Sequence, residues 1–264
     1  MTATLKMDVQ GAVARVTLNR PDVRNAFNDA VIHELTRAFE DLGNRSDLRA
    51  IVLAAEGKAF CAGADLNWMR AMADYSWEEN HQDAGRLAQM LWTIYRCPIP
   101  VIARVQGDVY AGGVGLVACA DIVVSTVAAG FCLSEAKLGL LPATIGPYVV
   151  KALGERQARR YFTTAERFDA ATAHRLGLVH EVVADAEALD AKVADLAAAL
   201  CANGPAAVKA CKKLALDMGA APELTEALRD DTACRIADIR ASAEGKSGVQ
   251  SFLNKQPLPW LLSE

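Results

Sequence analysis

Strand-like and helix-like patterns of apolar residues alternate from the start of the chain. LKMDV and AVARVTL alternate apolar and polar positions as half-buried strands do, and RAIVLAA is typical of a buried strand. Ala30 to Leu42 instead repeats its apolar residues at helical spacing. The opening is therefore predicted to be ββαβ.

The alternation continues through the first half of the chain. It predicts a helix from Asp83 to Tyr95, a strand at PVIARVQ, a short helix from Gly113 to Ala120 and a strand at DIVVST. Strands that recur after crossover helices favour a largely parallel sheet, so we expect an α/β fold.

From about Pro147 onward, alanine-rich helical patterns replace the strands. The helices are predicted at 145–154, 155–164, 169–177, 186–202, 205–218 and 222–243, with LVHEVV as an intervening strand. Because few glycine or proline linkers divide the two parts, we expect an α/β core over residues 1–195. A C-terminal helical region over residues 196–264 would pack against that core and serve assembly.

Composition narrows the class of protein. A chain of 264 residues with 52% hydrophobic content can bury a sizeable core, and a net charge of -4 argues against nucleic acid as its main ligand. MTATLKMDVQG has no cationic head before an apolar stretch, and later apolar runs are shorter than the roughly 18 residues of a membrane helix. The seven cysteines form no C-x-x-C pair, which is typical of reduced thiols. We expect a cytoplasmic protein without membrane association.

Two small-residue segments and one carboxylate carry the candidate chemistry. The segments are FCAGADL from Phe60 to Leu66 and YAGGVGL from Tyr110 to Leu116, and LSE ends at Glu135. Each segment places backbone N–H groups at the start of a predicted helix, where they lack helical partners and can point at an oxygen that gains negative charge. Two such donors and one base are typical of enolate chemistry.

The glycines of the second segment also allow two other interpretations. They could simply permit close packing at a tight strand-to-helix connection. They also fit the dinucleotide pattern G-x-G-x-x-A through Gly113, Gly115 and Ala118. That pattern requires the first glycine to follow a strand directly, whereas GDVYAG intervenes here.

Other enzyme templates do not match. EGKS resembles the end of a P-loop but lacks the earlier glycine, and no G-x-S-x-G elbow is present. The four histidines have no metal-ligand spacing, so no metal site is expected.

FCAGADL, YAGGVGL with ACADI, and LSEAKLGLLP resemble segments of the crotonase superfamily, the enoyl-CoA hydratases and isomerases. The resemblance covers the whole chain, with further landmarks at LNRPDVRNAF, GERQARRYFTTAERFDAATAHRLGLVHEVV and FLNKQPLPW. It implies a repeated ββα core whose C-terminal helices mediate homotrimers, commonly paired into hexamers. It also implies an acyl-CoA thioester substrate, with coenzyme A as part of the substrate and no separate cofactor.

The resemblance also assigns candidate roles. Ala64 and Gly112 would donate their N–H groups to the thioester oxygen, and Glu135 would act as general acid and base. The candidate contacts to coenzyme A are Val23, Arg24, Ala62, Asp65 and Leu66, with Phe252 and Lys255 reaching it from a neighbouring subunit. Arg24 could equally be a solvated surface charge, and the last two could close a helix end on the core.

One departure from the family pattern leaves both hydration and isomerisation as candidate reactions. Typical enoyl-CoA hydratases hold the attacking water with two glutamates, but Gly115 stands where the first would fall and Glu135 matches the second. A single carboxylate suits a proton shuttle between the α and γ carbons, as in an allylic isomerase. Hydration requires another group or the backbone to orient the water. Thr144 and Tyr148 are polar candidates, for which a structural role is favoured.

A finer resemblance favours hydration. ADLNWMR, FCLSEAKLGLLPATIGPYVV and ARRYFTTAERFDA are similar to bacterial hydratases of branched, carboxylated enoyl-CoAs, such as methylglutaconyl-CoA in leucine degradation and carboxygeranoyl-CoA. A distal carboxylate needs a cation, for which Arg70 and Arg86 are candidates. The leading hypothesis is hydration of a 2-enoyl-CoA. The alternatives are isomerisation of a 3-enoyl-CoA and a non-catalytic acyl-CoA-binding or assembly protein.

Overall fold

The structure is a computed structural model that describes residues 3–261. Its strands are β1 (Leu5–Gln10), β2 (Val13–Leu18), β3 (Ala50–Ala55), β4 (Val101–Val105), β5 (Val109–Tyr110), β6 (Ile122–Thr126), β7 (Gly130–Cys132), β8 (Arg167–Asp169) and β9 (Glu181–Val183). Its α-helices are α1 (Asp29–Gly43), α2 (Leu66–Met72), α3 (Trp77–Arg96), α4 (Gly112–Cys119), α5 (Gly146–Leu153), α6 (Glu155–Thr164), α7 (Ala170–Arg175), α8 (Ala186–Ala202), α9 (Pro205–Met218), α10 (Glu226–Ala241) and α11 (Ala243–Leu253). Short 3-10 helices lie at Pro21–Val23, Glu135–Leu138 and Pro259–Leu261.

In the described range, six strands form the central sheet in the order β1-β2-β3-β4-β6-β9. β1 and β2 pair antiparallel as a hairpin, and the remaining neighbours pair parallel. The prediction of a largely parallel sheet is confirmed. A second sheet, β5-β7-β8, lies apart from the first, and β5 pairs parallel with β7. Its strands are too short for sequence periodicity to reveal them.

The central sheet is covered on both faces. Ile51 and Leu53 of β3 belong to the main core, together with apolar residues of α1 and α3. Ala50 and Val52 point to the opposite face, where they pack with residues of α8. Because successive side chains of a strand alternate between faces, a strand as apolar as β3 must be buried on both.

The helix predictions agree with the structure where local signals are strong. α8 and α9 have the predicted bounds, since Asp185 caps the first through the N–H of Ala188 and Pro205 begins the second. α3 begins earlier than predicted because Ser76 and Glu79 form a capping box at its start. The predicted helix over 222–243 was too long: Ser242 ends α10 and caps α11.

The predicted domain boundary at residue 195 lies inside α8. Leu189, Val193 and Ala197 of this helix pack against the central sheet on both sides of that position. The helices α9 and α10, which follow Gly204, contain no buried residue, and the division into two regions stays a prediction. Among the helices of residues 3–261, none combines the length and hydropathy that crossing a membrane requires.

Candidate active site

The two small-residue segments lie against each other. The Tyr110 N–H donates to the Cys61 carbonyl over 2.8 Å. Gly113 packs so closely on this segment that a Cβ there would lie 2.8 Å from the Cys61 Cβ. Gly63 likewise faces Ala111, since a Cβ on Gly63 would lie 3.0 Å from the Ala111 Cβ. The convergence of the segments, which the family resemblance required, is therefore present.

Phe27 holds the Ala64 backbone beside Gly112. Its N–H donates to the Gly63 carbonyl and its carbonyl accepts from the Asp65 N–H, both over 2.7 Å, so Phe27 brackets Ala64. Its ring lies against Gly112, where an added Cβ would come within 2.9 Å of the ring. One residue thus contacts both predicted oxyanion donors.

Neither of these donors has a partner among residues 3–261. The N–H groups of Ala64 and Gly112 donate no hydrogen bond to a backbone carbonyl within that range. Gly112 is the first residue of α4, and Ala111 before it provides no side-chain cap. Unpaired N–H groups at a helix start favour an anionic oxygen, which the helix dipole further stabilises.

Glu135 and the start of α4 both follow strands that end at the same edge of the small sheet. In the parallel pair of β5 and β7, Tyr110 stands opposite Cys132, and the Ala111 N–H donates to the Cys132 carbonyl over 2.8 Å. The first strand continues into α4, and the second continues into the 3-10 helix that begins at Glu135. Parallel strands thus deliver both the helix start and the carboxylate to one edge of the small sheet.

The Glu135 side chain is poised to carry a proton. Its Oε2 atom is buried and has no hydrogen-bond partner among residues 3–261. Burial raises the pKa of the carboxyl above its ordinary value, because the charged form loses hydration. A raised carboxyl pKa brings the proton-bound and proton-free forms closer in free energy near neutral pH, as general acid–base catalysis requires.

Ile145 fills the space beside Gly115. A Cβ on Gly115 would lie 2.2 Å from the Ile145 Cγ2 and 2.7 Å from its Cβ. Ile145 is 1% exposed and directly precedes α5. The Ile145 side chain therefore occupies the space that a side chain at residue 115 would need.

Four predicted coenzyme A contacts form a continuous strip. The Ala62 N–H donates to the Arg24 carbonyl over 2.9 Å, which joins the first loop to FCAGADL. Val23 and Leu66 at either end of this strip are 42% and 69% exposed. Large exposed apolar side chains beside a site are suited to cover a ligand. Their contact with coenzyme A stays a prediction.

Asp65, the fifth predicted contact, uses its carboxylate internally. One oxygen accepts from the Arg20 guanidinium over 2.8 Å, and the other caps α2 through the Asn67 N–H, also over 2.8 Å. Burial alone would raise the pKa of the Asp65 carboxyl, but Arg20 and the capping N–H groups outweigh it and hold that pKa below its ordinary value. Asp65 therefore anchors the backbone next to Ala64, and its contact with coenzyme A stays a prediction.

The remaining predicted residues lie outside this cluster. Phe252 is 79% exposed near the end of α11, and Lys255 follows it, consistent with a surface that faces another molecule. Tyr148 is buried against Tyr95, at 5.1 Å between ring centroids, and burial raises the pKa of its phenol to about 12. A structural role stays the favoured prediction for Thr144 and Tyr148.

The two candidate cations for a distal carboxylate differ. Arg86 is paired with Asp83 over 2.8 Å, and Asp83 also accepts from the Trp68 indole. Arg70 is exposed and bonds to the neutral amide of Asn67 over 2.7 Å. Within the described residues, no group of acidic, histidine and cysteine side chains is arranged to hold a metal ion.

Sequence reasoning missed Arg20 and Ile145. Arg20 lies inside LNRPDVRNAF, so its presence among the family landmarks was a usable signal. No local signal marks Ile145, because its partner Gly115 is distant in sequence and the contact depends on how α5 packs on α4.

Known proteins resemble this chain over almost its whole length. The family profile described as "Enoyl-CoA hydratase/isomerase" matches residues 8–261. Enoyl-CoA hydratase EchA19 of Mycobacterium tuberculosis is 32% identical over 250 residues, which are 94% of this chain and 92% of that protein.

Solved structures show the same fold. A crystal structure of an enoyl-CoA hydratase from Shewanella pealeana superposes with a TM-score of 0.93 at 40% identity, covering 97% of this chain and 96% of that one. One from Mycobacterium smegmatis gives 0.91 at 36% identity, covering 98% and 99%. The α/β fold is thus crotonase-like, as expected, and the chain is an enoyl-CoA hydratase or isomerase. This chain belongs to the enoyl-CoA hydratase/isomerase family.

Proposed function

We propose that this enzyme hydrates a 2-enoyl-CoA thioester, with Glu135 as the acid–base group and the N–H groups of Ala64 and Gly112 as oxyanion donors. The observations that carry the proposal are the buried Oε2 of Glu135, at the sheet edge where α4 begins, and the N–H groups of Ala64 and Gly112, all without a partner among residues 3–261. A group that gives and takes a proton, facing donors for a thioester oxygen, suits addition across the double bond conjugated to that thioester.

The chemistry needs one carboxylate acting twice. Glu135 takes a proton from water while the water oxygen bonds to C3, and the electrons of the double bond move onto the thioester oxygen held by Ala64 and Gly112. Glu135 then returns the proton to C2 as the enolate collapses. The product is a 3-hydroxyacyl-CoA, and Glu135 ends in its starting state. The raised pKa of Glu135 makes its carboxylate a stronger base for the first half of this cycle.

An activity screen tests the proposal. Purified protein is incubated with 2-enoyl and 3-enoyl thioesters of different chain length, branching and distal charge, and the products are identified by mass spectrometry. A 3-hydroxyacyl-CoA from a 2-enoyl substrate is the expected result. Double-bond migration without a hydroxylated product would contradict hydration.

Isomerisation between 3-enoyl-CoA and 2-enoyl-CoA is the second candidate. The observation that favours it is the contact of Ile145 with Gly115, because hydrocarbon stands where a second water-holding carboxylate would begin. In that reaction Glu135 moves a proton between C4 and C2, and no water is consumed. The product analysis of the same screen separates the two reactions.

The substrate class is proposed to be branched and carboxylated, with Arg70 as the cation for the distal carboxylate. Arg86 is already paired with Asp83, whereas Arg70 has only a neutral amide partner among the described residues. Arg70→Met should raise KM for a carboxylated enoyl-CoA more than for an uncharged one. An equal effect on both substrates would contradict this assignment.

Coenzyme A is proposed to lie along Val23, Arg24, Ala62 and Leu66, with Phe252 and Lys255 of a neighbouring subunit closing over it. The support for a homotrimer or hexamer is the lack of buried residues in α9 and α10, together with exposed Leu224, Ile236 and Leu253. Sedimentation velocity should give a species of three or six chains. A monomer at micromolar concentration would contradict both the assembly and the shared contact. The cytoplasm remains the proposed location.

A further inference from the structure

Ala111 has a backbone conformation that only glycine adopts easily. Its φ is 46° and its ψ is -121°, outside the three regions that side-chain-bearing residues populate. Ala165 also has a positive φ of 47°, but its ψ of 31° is the ordinary left-handed conformation at the end of a helix. Strained backbone persists only where its surroundings hold it, and it is concentrated at functional sites.

Two backbone hydrogen bonds and one side-chain contact restrain Ala111. Its N–H donates to the Cys132 carbonyl over 2.8 Å, and its own carbonyl accepts from Val114 over 2.9 Å. Its methyl group abuts Gly63, where an added Cβ would lie 3.0 Å from the Ala111 Cβ. A residue fixed at both peptide units and at its side chain has little freedom to relax its torsion angles.

The strained ψ angle of Ala111 sets the direction of the Gly112 N–H, one of the two predicted oxyanion donors. The angle ψ of a residue orients the peptide unit that follows it, so ψ of Ala111 aims the N–H of Gly112. The methyl group contacts Gly63, whose carbonyl and following residue Ala64 are in turn held by Phe27. Ala111 therefore connects the orientation of one oxyanion donor to the position of the other.

We propose that Ala111 is a positioning residue that keeps the N–H groups of Ala64 and Gly112 converged on one thioester oxygen. The strained torsion aims the Gly112 N–H, and the methyl group spaces the two segments. This proposal rests on the proposed oxyanion role of those two donors. It holds equally for hydration and isomerisation, because both pass through the same enolate.

Ala111→Gly tests the proposal by removing the methyl group that faces Gly63 while leaving both donors and the backbone hydrogen bonds of residue 111 in place. We expect kcat with 2-butenoyl-CoA, or with the best substrate of the screen, to fall roughly 10- to 100-fold while KM changes little, as for a small misplacement of catalytic groups. Ala111→Ser keeps a Cβ and should retain most of the activity. Ala165→Gly is the matched control: it relieves a positive φ that aims neither donor and keeps the backbone carbonyl of residue 165, so it should leave kcat unchanged.

A spectroscopic measurement separates this proposal from the proposed function. Infrared difference spectra of bound 2-butenoyl-CoA are recorded in the Glu135→Gln background, which prevents turnover. The thioester carbonyl stretch should shift to lower frequency with Ala111 present and return toward the free value with Ala111→Gly, at unchanged affinity. Equal shifts in both, or an unchanged kcat for Ala111→Gly, would overturn the proposal. A carbonyl that does not shift even with Ala111 present would also contradict the oxyanion role of Ala64 and Gly112.

Discussion

The two sides of the candidate active site differ in polarity. On one side, Glu135 presents a carboxylate whose Oε2 is buried without a partner among residues 3–261. On the other, α4 presents Gly115 with no side chain, and Ile145 fills the space a Cβ would need, with its Cγ2 only 2.2 Å from that position. The difference teaches that the proposed acid–base chemistry rests on one side alone, while the proposed contribution of α4 is the backbone N–H of Gly112.

Glu135→Gln should have the largest effect, because it removes the acid–base group and preserves the shape of its side. We expect kcat to fall about 10²- to 10⁴-fold, the range that general acid–base catalysis contributes. Affinity for the acyl-CoA, measured by calorimetry, should stay within a few-fold, since the amide is isosteric. Turnover at the wild-type rate would show that the polar side of the site does not carry the chemistry.

Gly112→Pro should have the next largest effect, because it deletes the N–H that α4 contributes. Losing one oxyanion donor typically costs about 10²- to 10³-fold in kcat. Any Cβ at this position meets the Phe27 ring at 2.9 Å, so Gly112→Ala is the matched control. The alanine variant shares the steric change and keeps the donor. Similar kcat values in two folded variants, judged by circular dichroism, would show that the N–H group is not used.

Gly115→Ala should affect stability more than chemistry. Its Cβ would collide with Ile145, and overpacking of a core typically costs about 1–3 kcal/mol in the free energy of unfolding. Ile145→Ala in the same chain removes the Cγ2 contact and leaves the Cβ at 2.7 Å, so it should recover part of that loss. Urea unfolding of the two single variants and the double variant gives the coupling energy. Strict additivity would mean that Ile145 does not fill this space.

The smallest expected effect is a pH-dependent stability difference at Glu135. Burial raises the pKa of this carboxyl, so the folded chain binds the proton more tightly than the unfolded chain. The free energy of unfolding should therefore fall as pH rises through the interval between the unfolded and folded pKa values. Glu135→Gln lacks this titration and should melt higher than wild type at pH 7. The two melting temperatures should converge below about pH 4, where the carboxyl is protonated in both states. A wild-type protein that is the more stable at pH 7 would contradict the burial argument.

The sequence predicts elements with local signals and misses those that depend on distant contacts. The predicted bounds of α8 and α9 are correct, and in the structure Asp185 and Pro205 mark the starts of these helices within one turn. The sheet β5-β7-β8 was missed because its strands, such as Val109–Tyr110, are shorter than any detectable alternation. A helix start was predicted at FCAGADL, but the extent of α2 was not, because seven residues are too few for helical periodicity to define its end.

The features of the candidate site also divide into those with a local sequence signal and those that depend on distant contacts. Glu135 and the two small-residue segments are visible in sequence because acid–base and backbone-donor chemistry restrict residue types. The torsion of Ala111 and the filling of Gly115 by Ile145 are not visible, because each is imposed by a segment distant in the chain. The boundary between α10 and α11 was also not predicted, because a single residue, Ser242, both ends α10 and caps α11.

The central claim is that Glu135, acting as the single carboxylate, adds water to a 2-enoyl-CoA. Turnover in water labelled with heavy oxygen tests it most directly, with wild type and Glu135→Gln compared by mass spectrometry of the products. The account predicts a 3-hydroxyacyl-CoA carrying the solvent oxygen from wild type, and almost none from the variant. A product with a migrated double bond and no solvent oxygen, or equal labelling by both proteins, would contradict it.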